Sequence, residues 1–558
     1  MGTRLRANDG RQHLTTFVIQ RGGAGFSDTI KVVEGSIGAR PLGELMRELE
    51  GRGLLRALMA GDGSASRVVT RVDFDSREVV PGHLFVAVPG AESDGHEFAA
   101  DAVARGAVAV IAERAVARLG VPQLLVGSSR SALALAAAWF NGFPSYRLGV
   151  VGITGTDGKT TTAYLVRSML AAAGLPAGMI TTVDVVVGGQ SFGETGHTTP
   201  EAPEIQADLR LMADAGDRFA VLESTSHGLA LERVAEVAFD VAVLTNITHE
   251  HLDLHGSMEA YVAAKRSLFE RLAVGPTNPD KGWPKSAVIN ADDPRAEEFA
   301  AAARGAGANV LTYAVGPDPK ADITAATVRD DGAGLRLKVT TPRWSDDLAL
   351  HLVGHFNAYN ALAAVGVGEA LSLDPEHMRR GLASLESVPG RLIRVDEGQE
   401  FTVYVDFAHT PGALASALDS LAPHAAARGG GLISVLGSPG ARDTLKRPMM
   451  GRAAGERSRV VVLADDDPRD EDRMGILEQI AVGAIEAGRR RDQDLFLIPD
   501  RDKAIRRAFE LARPTDIVLL AGMGHVDRIM TAEGRKPWNE AEIARQTLRD
   551  MGYRSATS

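Results

Sequence analysis

Three α/β domains in series are what this chain predicts, on three observations. Short β-branched apolar runs alternate with Ala-rich helical stretches along most of its length. A Gly-rich loop ending in Gly-Lys-Thr joins one such strand to one such helix, and Pro-Gly punctuation falls where one α/β series gives way to the next. The 558 residues suffice for two to four domains at about 100–200 residues each. The expected division is a polar N-terminal extension (1–39), a small α/β domain (40–144), a central domain with a parallel sheet plus a small antiparallel side sheet (145–388), and a C-terminal Rossmann-like α/β domain (389–558).

Each element follows from local pattern. After the extension, "RPLGELMRELEGRGLL" leads into the strands "GHLFVAV", "AVAVIA" and "PQLLVG", and "WFNGFPSYRL" links them to the next series. "RLGVVGI" is a buried strand, and "KTTTAYLVRSMLAAAG" places Leu165, Met169 and Ala173 at helical spacing before a stopping Gly174. Strands recur in "RFAVLESTS", "AFDVAVLTNIT" and "KSAVINADD", the βαβ rhythm of a parallel sheet. "ADITAATVRDDGAGLRLKVTT" and "LALHLVG" alternate as antiparallel strands about an Asp-Gly turn. A break falls at "SVPGRLIRV", with Pro389 and Gly390, and a further α/β series follows it: "FTVYVDFAHT", "GGLISVLGS", "RVVVLADDD", "DLFLIPD" and "DIVLLAGMG".

Composition narrows the function. A formal charge of −11 argues against duplex nucleic acid as a partner. The chain has no cysteine, which removes disulfides, a thiolate nucleophile and Cys-bound zinc. It contains no apolar run of about 18 residues, so no membrane insertion is expected. The first 40 residues hold no signal-peptide pattern. A cytoplasmic enzyme acting on small molecules is the expectation, with a monomer as the default.

The loop "GITGTDGKTTT" points to a nucleotide. Backbone N–H groups and the helix dipole at a strand-to-helix turn favour an anion. Gly155 and Gly158 let the backbone close in around Thr156 and Asp157, Lys159 can reach the β and γ phosphates, and the hydroxyl of Thr160 or Thr161 can face magnesium. The spacing is a variant, because Ile153 stands where the first glycine of the usual P-loop belongs. A tight turn with an exposed lysine is the plainer alternative. Polar residues cluster at strand ends, where open parallel sheets place their sites. Glu223 ends "FAVLE", and "NITHEHLD" with His251 follows "DVAVLT". The two suit a magnesium site, although magnesium prefers oxygen ligands, and the local sequence equally allows a capping carboxylate and an ordinary loop histidine.

The ordered set "GITGTDGKTTT", "HTTPEAPEI", "ESTSHGLALERV", "TNITHEHLDLHGSMEAYVAAKRSLF", "NADDP", "GHFNAYNALAA", "VPGRLIRV" and "VDFAHTPGAL" resembles the Mur ligases, and more narrowly the MurE type, the UDP-N-acetylmuramoyl-L-alanyl-D-glutamate ligases. "DSREVVPGHLFVAVPGAESDGHEFAADAVARGAVAVIAE" is similar to that family's UDP-binding domain. The resemblance runs from about residue 40 to the C-terminal region and implies an ATP-dependent, ADP-forming amide ligase of peptidoglycan precursor synthesis. Such an enzyme phosphorylates a carboxylate, and an amine then displaces phosphate from the acyl phosphate.

By resemblance, Lys159 and Thr160 serve the phosphates and a first Mg2+. Glu223 and His251 hold a second, and Lys265 matches a lysine carboxylated to a carbamate, which replaces a repelling ammonium with an anionic oxygen ligand. The nucleoside falls to Asn357, Asn360, Arg391, Asp406 and His409, with Asn357 and Asn360 on one helix face. Ser76 and Arg77 match the uridine diphosphate end, and Thr198, Thr199, Thr225, Ser226 and Arg233 the muramoyl dipeptide. Domain closure about Pro389-Gly390 is expected.

Amino-acid choice falls to the C-terminal domain, at Arg442, Asp466, Asp467, Arg469 and Gly522. Asp466-Asp467-Pro468-Arg469 departs from the "DNPR" pattern linked to meso-diaminopimelate, and "GMGHV" puts Met523 and Val526 where the family's "GKGHE" has lysine and glutamate. An added anion at Asp467 favours a distal ammonium without its carboxylate, as in lysine or ornithine. The alternatives are meso-diaminopimelate, or another carboxylate substrate as in the folylpolyglutamate and cyanophycin branches. A non-catalytic nucleotide-binding scaffold would be expected to lack Lys159, Glu223, His251 or Lys265, all of which are present.

Overall fold

The structure, a computed structural model, describes residues 14–18, 29–33, 38–59, 63–90, 93–193, 198–248, 252–275, 281, 284–316 and 321–554. Among these residues the central sheet has eleven strands. Strand Gly149–Thr154 lies inside it, parallel to Phe219–Glu223 on one side and to Val241–Leu244 on the other. Ala177–Ile180 extends the first side, and Ser286–Asn290 and Asn309–Val315 the second, all in parallel. These strands are nearly uniformly apolar because helices cover both faces. Val151 and Ile153 pack against Leu165 and Met169 of helix Lys159–Ala172 and against helix Phe356–Ala370. Val150, Ala220 and Leu244 pack on the opposite face against helices Ala202–Asp214, Met258–Glu270 and Ala296–Gly305.

The antiparallel strands Ile323–Asp330, Leu335–Thr340 and Ser345–Leu350 form as the alternation predicts. They do not stand apart as a separate sheet. They prolong the central one through the parallel pair Tyr313 and Ile323, because their buried residues (Leu335, Leu337, Val339) share the core of helix Phe356–Ala370. The other face of Leu335–Thr340 is exposed, which explains its strict alternation.

Toward the N-terminus, the strands run in the order Leu55–Met59, Gln123–Val126, Ala109–Ala112, His83–Val86, Arg71–Asp73, with Leu133 and Trp139 of helix Ser129–Phe140 in the core. Within the extension, Leu14–Val18 pairs antiparallel with Thr29–Val33. The C-terminal sheet has the order Ile393–Val395, Thr402–Asp406, Ile517–Ala521, Leu432–Leu436, Val460–Leu463, Leu495–Leu497, parallel except at its first strand.

The central and C-terminal parts of the chain meet at the start of helix Phe356–Ala370. Val353 and Phe356, at the start of the helix bearing Asn357 and Asn360, pack with Leu392, Tyr404 and Leu414 of the C-terminal core. Nearby, His424 pairs with Asp330 at 3.0 Å. Among the described residues no helix is long and apolar enough to cross a membrane.

Candidate active site

The strand-to-helix turn adopts the geometry that an anion needs. Gly155 has φ +146° and Gly158 φ +85°, and both stand against side chains. A Cβ on Gly155 would lie 1.8 Å from Thr245 Oγ1, and one on Gly158 would lie 2.3 Å from Asn360 Oδ1. Only glycine fits either position. The loop 245–248 braces the turn: Thr156 N–H donates to Asn246 O (2.8 Å), Asp157 N–H to Asn246 Oδ1 (3.0 Å), and Thr245 Oγ1 to Asp157 O (2.6 Å). Lys159 Nζ donates to the carbonyls of Gly155 (3.0 Å) and Thr156 (2.7 Å). Thr160 and Thr161 open the helix and are both buried.

Glu223 is 1% exposed and sits in register with Ile153, beside the turn. Its carboxylate accepts long bonds from the N–H (3.3 Å) and hydroxyl (3.2 Å) of Thr182, and that hydroxyl also meets Thr198 (2.9 Å). Thr199 Oγ1 donates to Glu223 O (2.9 Å) and lies 3.0 Å from Thr225 Oγ1, which caps the short helix begun by Ser226. Arg233 donates to Thr199 O (2.8 Å) and pairs with Glu201. Lys265, 2% exposed, donates from Nζ to Gly155 O at 2.6 Å and stands 4.6 Å over the ring of Tyr261. Lys159 and Lys265 thus converge on one carbonyl. His255 reaches Ser226 Oγ at 3.0 Å and the edge of Tyr261. His251 lies outside the described residues.

Across the domain boundary, Arg391 Nη2 donates to Thr160 Oγ1 at 3.3 Å and its guanidinium lies over Phe407. A cavity of about 560 Å³ opens here, lined among others by Thr161, Asn357, Arg391 and Tyr404. Asn357 donates to Val353 O (2.7 Å) and accepts from Asn360 Nδ2 (2.9 Å), so the two amides do share a buried face. Asp406 accepts the N–H groups of Leu392 and Ala408, each at 2.7 Å, and burial pushes its carboxyl above the usual range. The His409 ring packs tilted against Phe407, centroids 4.5 Å apart, and the His409 carbonyl accepts from Lys446 Nζ at 3.0 Å.

The strand ends of the C-terminal sheet hold an acidic group. Asp466 is pushed up to about 6 by burial and by Asp467, against the opposing pull of Arg501 and Lys446. Asp467 Oδ1 accepts from Met530 N–H at 2.9 Å. Arg469 takes a left-handed backbone (φ +53°) and donates its N–H to Met530 O. Gly522 faces Asp466, whose Oδ2 would lie 3.2 Å from a Cβ there. Arg501, fully buried against Glu540, donates to the carbonyls of Asp465 and Ala521 and so holds both strand ends. Met523 is a core residue, and Val526 packs at the edge of the same core.

Two predicted groups stand outside this linked set. Arg442 is exposed on the loop before helix Lys446–Arg457. Ser76 is buried at a short turn in the N-terminal domain, and the exposed Arg77 pairs with Asp75 at 2.6 Å. Several residues that build the site were not singled out from sequence: Thr182, Asn246, Tyr261, His255 and Arg501. Tyr261 stood four residues before Lys265, one helical turn away, and Thr182 just past the strand Ala177–Ile180, so spacing and the strand-end rule marked both.

Comparison with known proteins covers most of the chain. Residues 68–140 match the model for "Mur ligase family, catalytic domain", residues 153–368 the "Mur ligase middle domain", and residues 390–524 the "Mur ligase, glutamate ligase domain". The UDP-N-acetylmuramyl-tripeptide synthetase of Roseiflexus sp. (strain RS-1) is 46% identical over 497 residues, 87% of this chain and 95% of that protein. The UDP-N-acetylmuramoyl-L-alanyl-D-glutamate–2,6-diaminopimelate ligase of Solibacter usitatus is 43% identical over 493 residues, 88% of this chain and 95% of that one. Among solved structures, a UDP-N-acetylmuramoyl-L-alanyl-D-glutamate–2,6-diaminopimelate ligase superposes with a TM-score of 0.63 at 28% identity, over 92% of this chain and 100% of that chain.

Proposed function

The chain belongs to the Mur ligase family, and on that premise we propose that it joins a diamino acid, lysine or ornithine, to UDP-N-acetylmuramoyl-L-alanyl-D-glutamate. It is an ATP-dependent, ADP-forming acid–amino-acid ligase of peptidoglycan precursor synthesis, acting on small molecules. We place its work in the cytoplasm, with residues 40–144 holding the UDP end, 145–388 the nucleotide and 389–558 the amine.

The observation that carries this reading is the convergence of Lys159 and Lys265 on the buried carbonyl of Gly155. Two ammonium ions there would repel at low dielectric. Carboxylation of Lys265 replaces that repulsion with an attractive pair and sets a second anionic oxygen donor beside Glu223, a donor type that magnesium prefers. The turn itself fits a triphosphate, since its two glycines leave room for no Cβ and its helix N-terminus is directed into it.

ATP, when bound, supplies the phosphoryl group that makes the substrate carboxylate reactive. The N–H groups at the helix start, 158–161, and the Lys159 ammonium would hold its phosphates, on a turn that Asn246 braces through Thr156 and Asp157. Thr160, Glu223, His251 and a carboxylated Lys265 would hold two magnesium ions, and Asn357, Asn360, Arg391, Asp406 and His409 the nucleoside. Thr198, Thr199, Thr225, Ser226 and Arg233 would orient the dipeptide carboxylate, while Ser76 and Arg77 take the uridine diphosphate.

For the amine, Arg442 would meet the α-carboxylate, and Asp466, Asp467, Arg469 and Gly522 the rest. Asp467 accepts from Met530 N–H through one oxygen, and among the described residues no hydrogen bond occupies the other. Where asparagine would present an N–H donor, this oxygen presents an anionic acceptor. That favours a distal ammonium over a distal carboxylate. A second reading, diaminopimelate as the amine, draws on the name of the Solibacter usitatus relative. Phosphate release with ATP, magnesium and the UDP-dipeptide, scanned across lysine, ornithine and diaminopimelate, separates the two. We expect kcat/KM at least about tenfold higher for lysine or ornithine, a difference of about 1.4 kcal/mol. A preference for diaminopimelate would overturn the assignment.

Acidification supplies another test. Asp466 titrates near 6, above its ordinary 3.8, so its anion is present at pH 7 and is lost as the pH falls through 6. KM for the amine should therefore rise about fivefold between pH 6 and 5, read from initial rates at fixed ATP. The same shift favours the protonated folded state, so Asp466 contributes stability that is full below 3.8 and lost as the pH rises through about 6.

A further inference from the structure

We infer that the turn 231–236 is a bracket that locks the N-terminal domain to the dipeptide-holding segment, with Glu232 as its positioning residue. The inference rests on the dipeptide role proposed above for Thr199 and Arg233.

Three observations meet in this turn. Glu232 has a left-handed backbone, φ +57°, as the residue that ends helix Ser226–Ala230: its N–H donates to Leu229 O (3.1 Å) and the N–H of Arg233 to Gly228 O (2.9 Å), which turns the chain so that the two side chains leave in different directions. Its carboxylate accepts from the hydroxyls of Ser128 (3.4 Å) and Ser131, at the capped start of helix Ser129–Phe140 in the N-terminal domain. Four residues on, Glu236 pairs with Arg52 of the same domain at 2.8 Å, with the Glu236 side chain only 12% exposed. These are two separate anchors from one short turn to one domain.

Between them, Arg233 points the other way. It is 8% exposed, donates to Thr199 O at 2.8 Å and pairs with Glu201, the residue preceding helix Ala202–Asp214. Thr199 in turn contacts Glu223 O and Thr225. A single stretch of backbone therefore has its acidic side chains on the N-terminal domain and its guanidinium on the segment beside Glu223. Arg271 donates to Ala235 O at 3.3 Å and stiffens the turn from below.

The consequence is a fixed distance between two ends of one long substrate. If residues 40–144 hold the nucleotide-sugar end and Thr198–Thr199 the peptide end, the substrate binds tightly only when both bodies are already in register. Loss of the anchor adds an ordering cost that falls on this substrate and not on ATP or the amine. A residue of merely structural value would weaken all three alike.

The test uses the full chain and three variants. Glu232→Gly removes the carboxylate and relaxes the left-handed residue. Ser128→Ala/Ser131→Ala removes the same contact from its other side and leaves the turn untouched, so the test does not depend on Glu232→Gly folding. Glu232→Gln keeps an oxygen that both hydroxyls can reach. We expect KM for the UDP-dipeptide to rise about five- to tenfold in the first two, with KM for ATP and the amine within about twofold of the parent, and Glu232→Gln to restore most of the loss. Unchanged KM for the UDP-dipeptide, or a parallel rise for ATP, would overturn the inference.

Tryptic cleavage after Arg147, between the two domains, provides a readout free of substrate. It should accelerate in Glu232→Gly and in the double serine variant. If the parent shows no turnover of the UDP-dipeptide, the proposed function fails. Faster cleavage would then still support the bracket, and unchanged cleavage would dispose of it.

Discussion

Replacement of Lys265 by alanine should lower kcat by about 10²-fold or more if, as proposed, the group balances charge at the reacting phosphate. The side chain is 2% exposed, bonded to Gly155 O and held over Tyr261, so its loss leaves a hole beside the phosphate-binding turn. The carbamate reading adds a specific signature. Turnover of the parent protein should fall when carbon dioxide is stripped from the buffer and recover with bicarbonate, while the residual rate of Lys265→Ala should respond to neither. Initial rates of phosphate release under both conditions check this. A Lys265→Ala enzyme with normal turnover would end the carbamate hypothesis.

Gly155→Ala should be almost as damaging, by a different route. The new methyl would sit 1.8 Å from Thr245 Oγ1 and about 3.0 Å from Asn246 N and O, on a residue with φ +146°. The turn and the loop 245–248 cannot both keep their places. We expect at least about a hundredfold loss of ATP affinity, about 2.7 kcal/mol, measured by titration calorimetry. The melting temperature should fall by several degrees, since steric conflict at a special backbone position costs roughly 1–3 kcal/mol. Thr245→Ala in the same chain removes the nearest clashing atom and should recover part of the stability. An affinity unchanged in Gly155→Ala would show that the turn does not hold the phosphates.

The parts of the site that were legible in sequence are those set by short-range covalent geometry. Gly155, Gly158, Lys159 and Thr160 lie within six consecutive residues, and the strand before them and the helix after them have unmistakable periods. Asn357 and Asn360 share a face because any helix puts residues three apart together. Glu223 was marked by its position at the end of an apolar strand, where parallel sheets expose polar groups.

What was not legible depends on residues far apart in the chain. Asn246 braces the turn from about ninety residues away, Thr182 meets Glu223 from a neighbouring strand, and Arg501 ties the carbonyls of Asp465 and Ala521 together. Position past a strand end marks Thr182 as a candidate, but no local pattern names its partner, and an isolated asparagine or threonine most often serves a turn or cap. The antiparallel strands illustrate the same limit. Their alternation shows in the sequence, but that they prolong the central sheet follows only from the partner chosen by Tyr313.

By itself, the sequence determined the α/β class, the order of the elements, the glycine-rich strand-to-helix turn and the family, because each is written in contiguous residues whose dihedral and side-chain periods need no partner. Only the tertiary structure decided that Lys159 and Lys265 share one carbonyl, that Arg391 reaches Thr160 across the domain boundary, and that Glu232 anchors the N-terminal domain. Those facts arise from packing, in which burial of many apolar side chains fixes the relative position of distant segments, and a few polar atoms then meet at distances that no local pattern encodes.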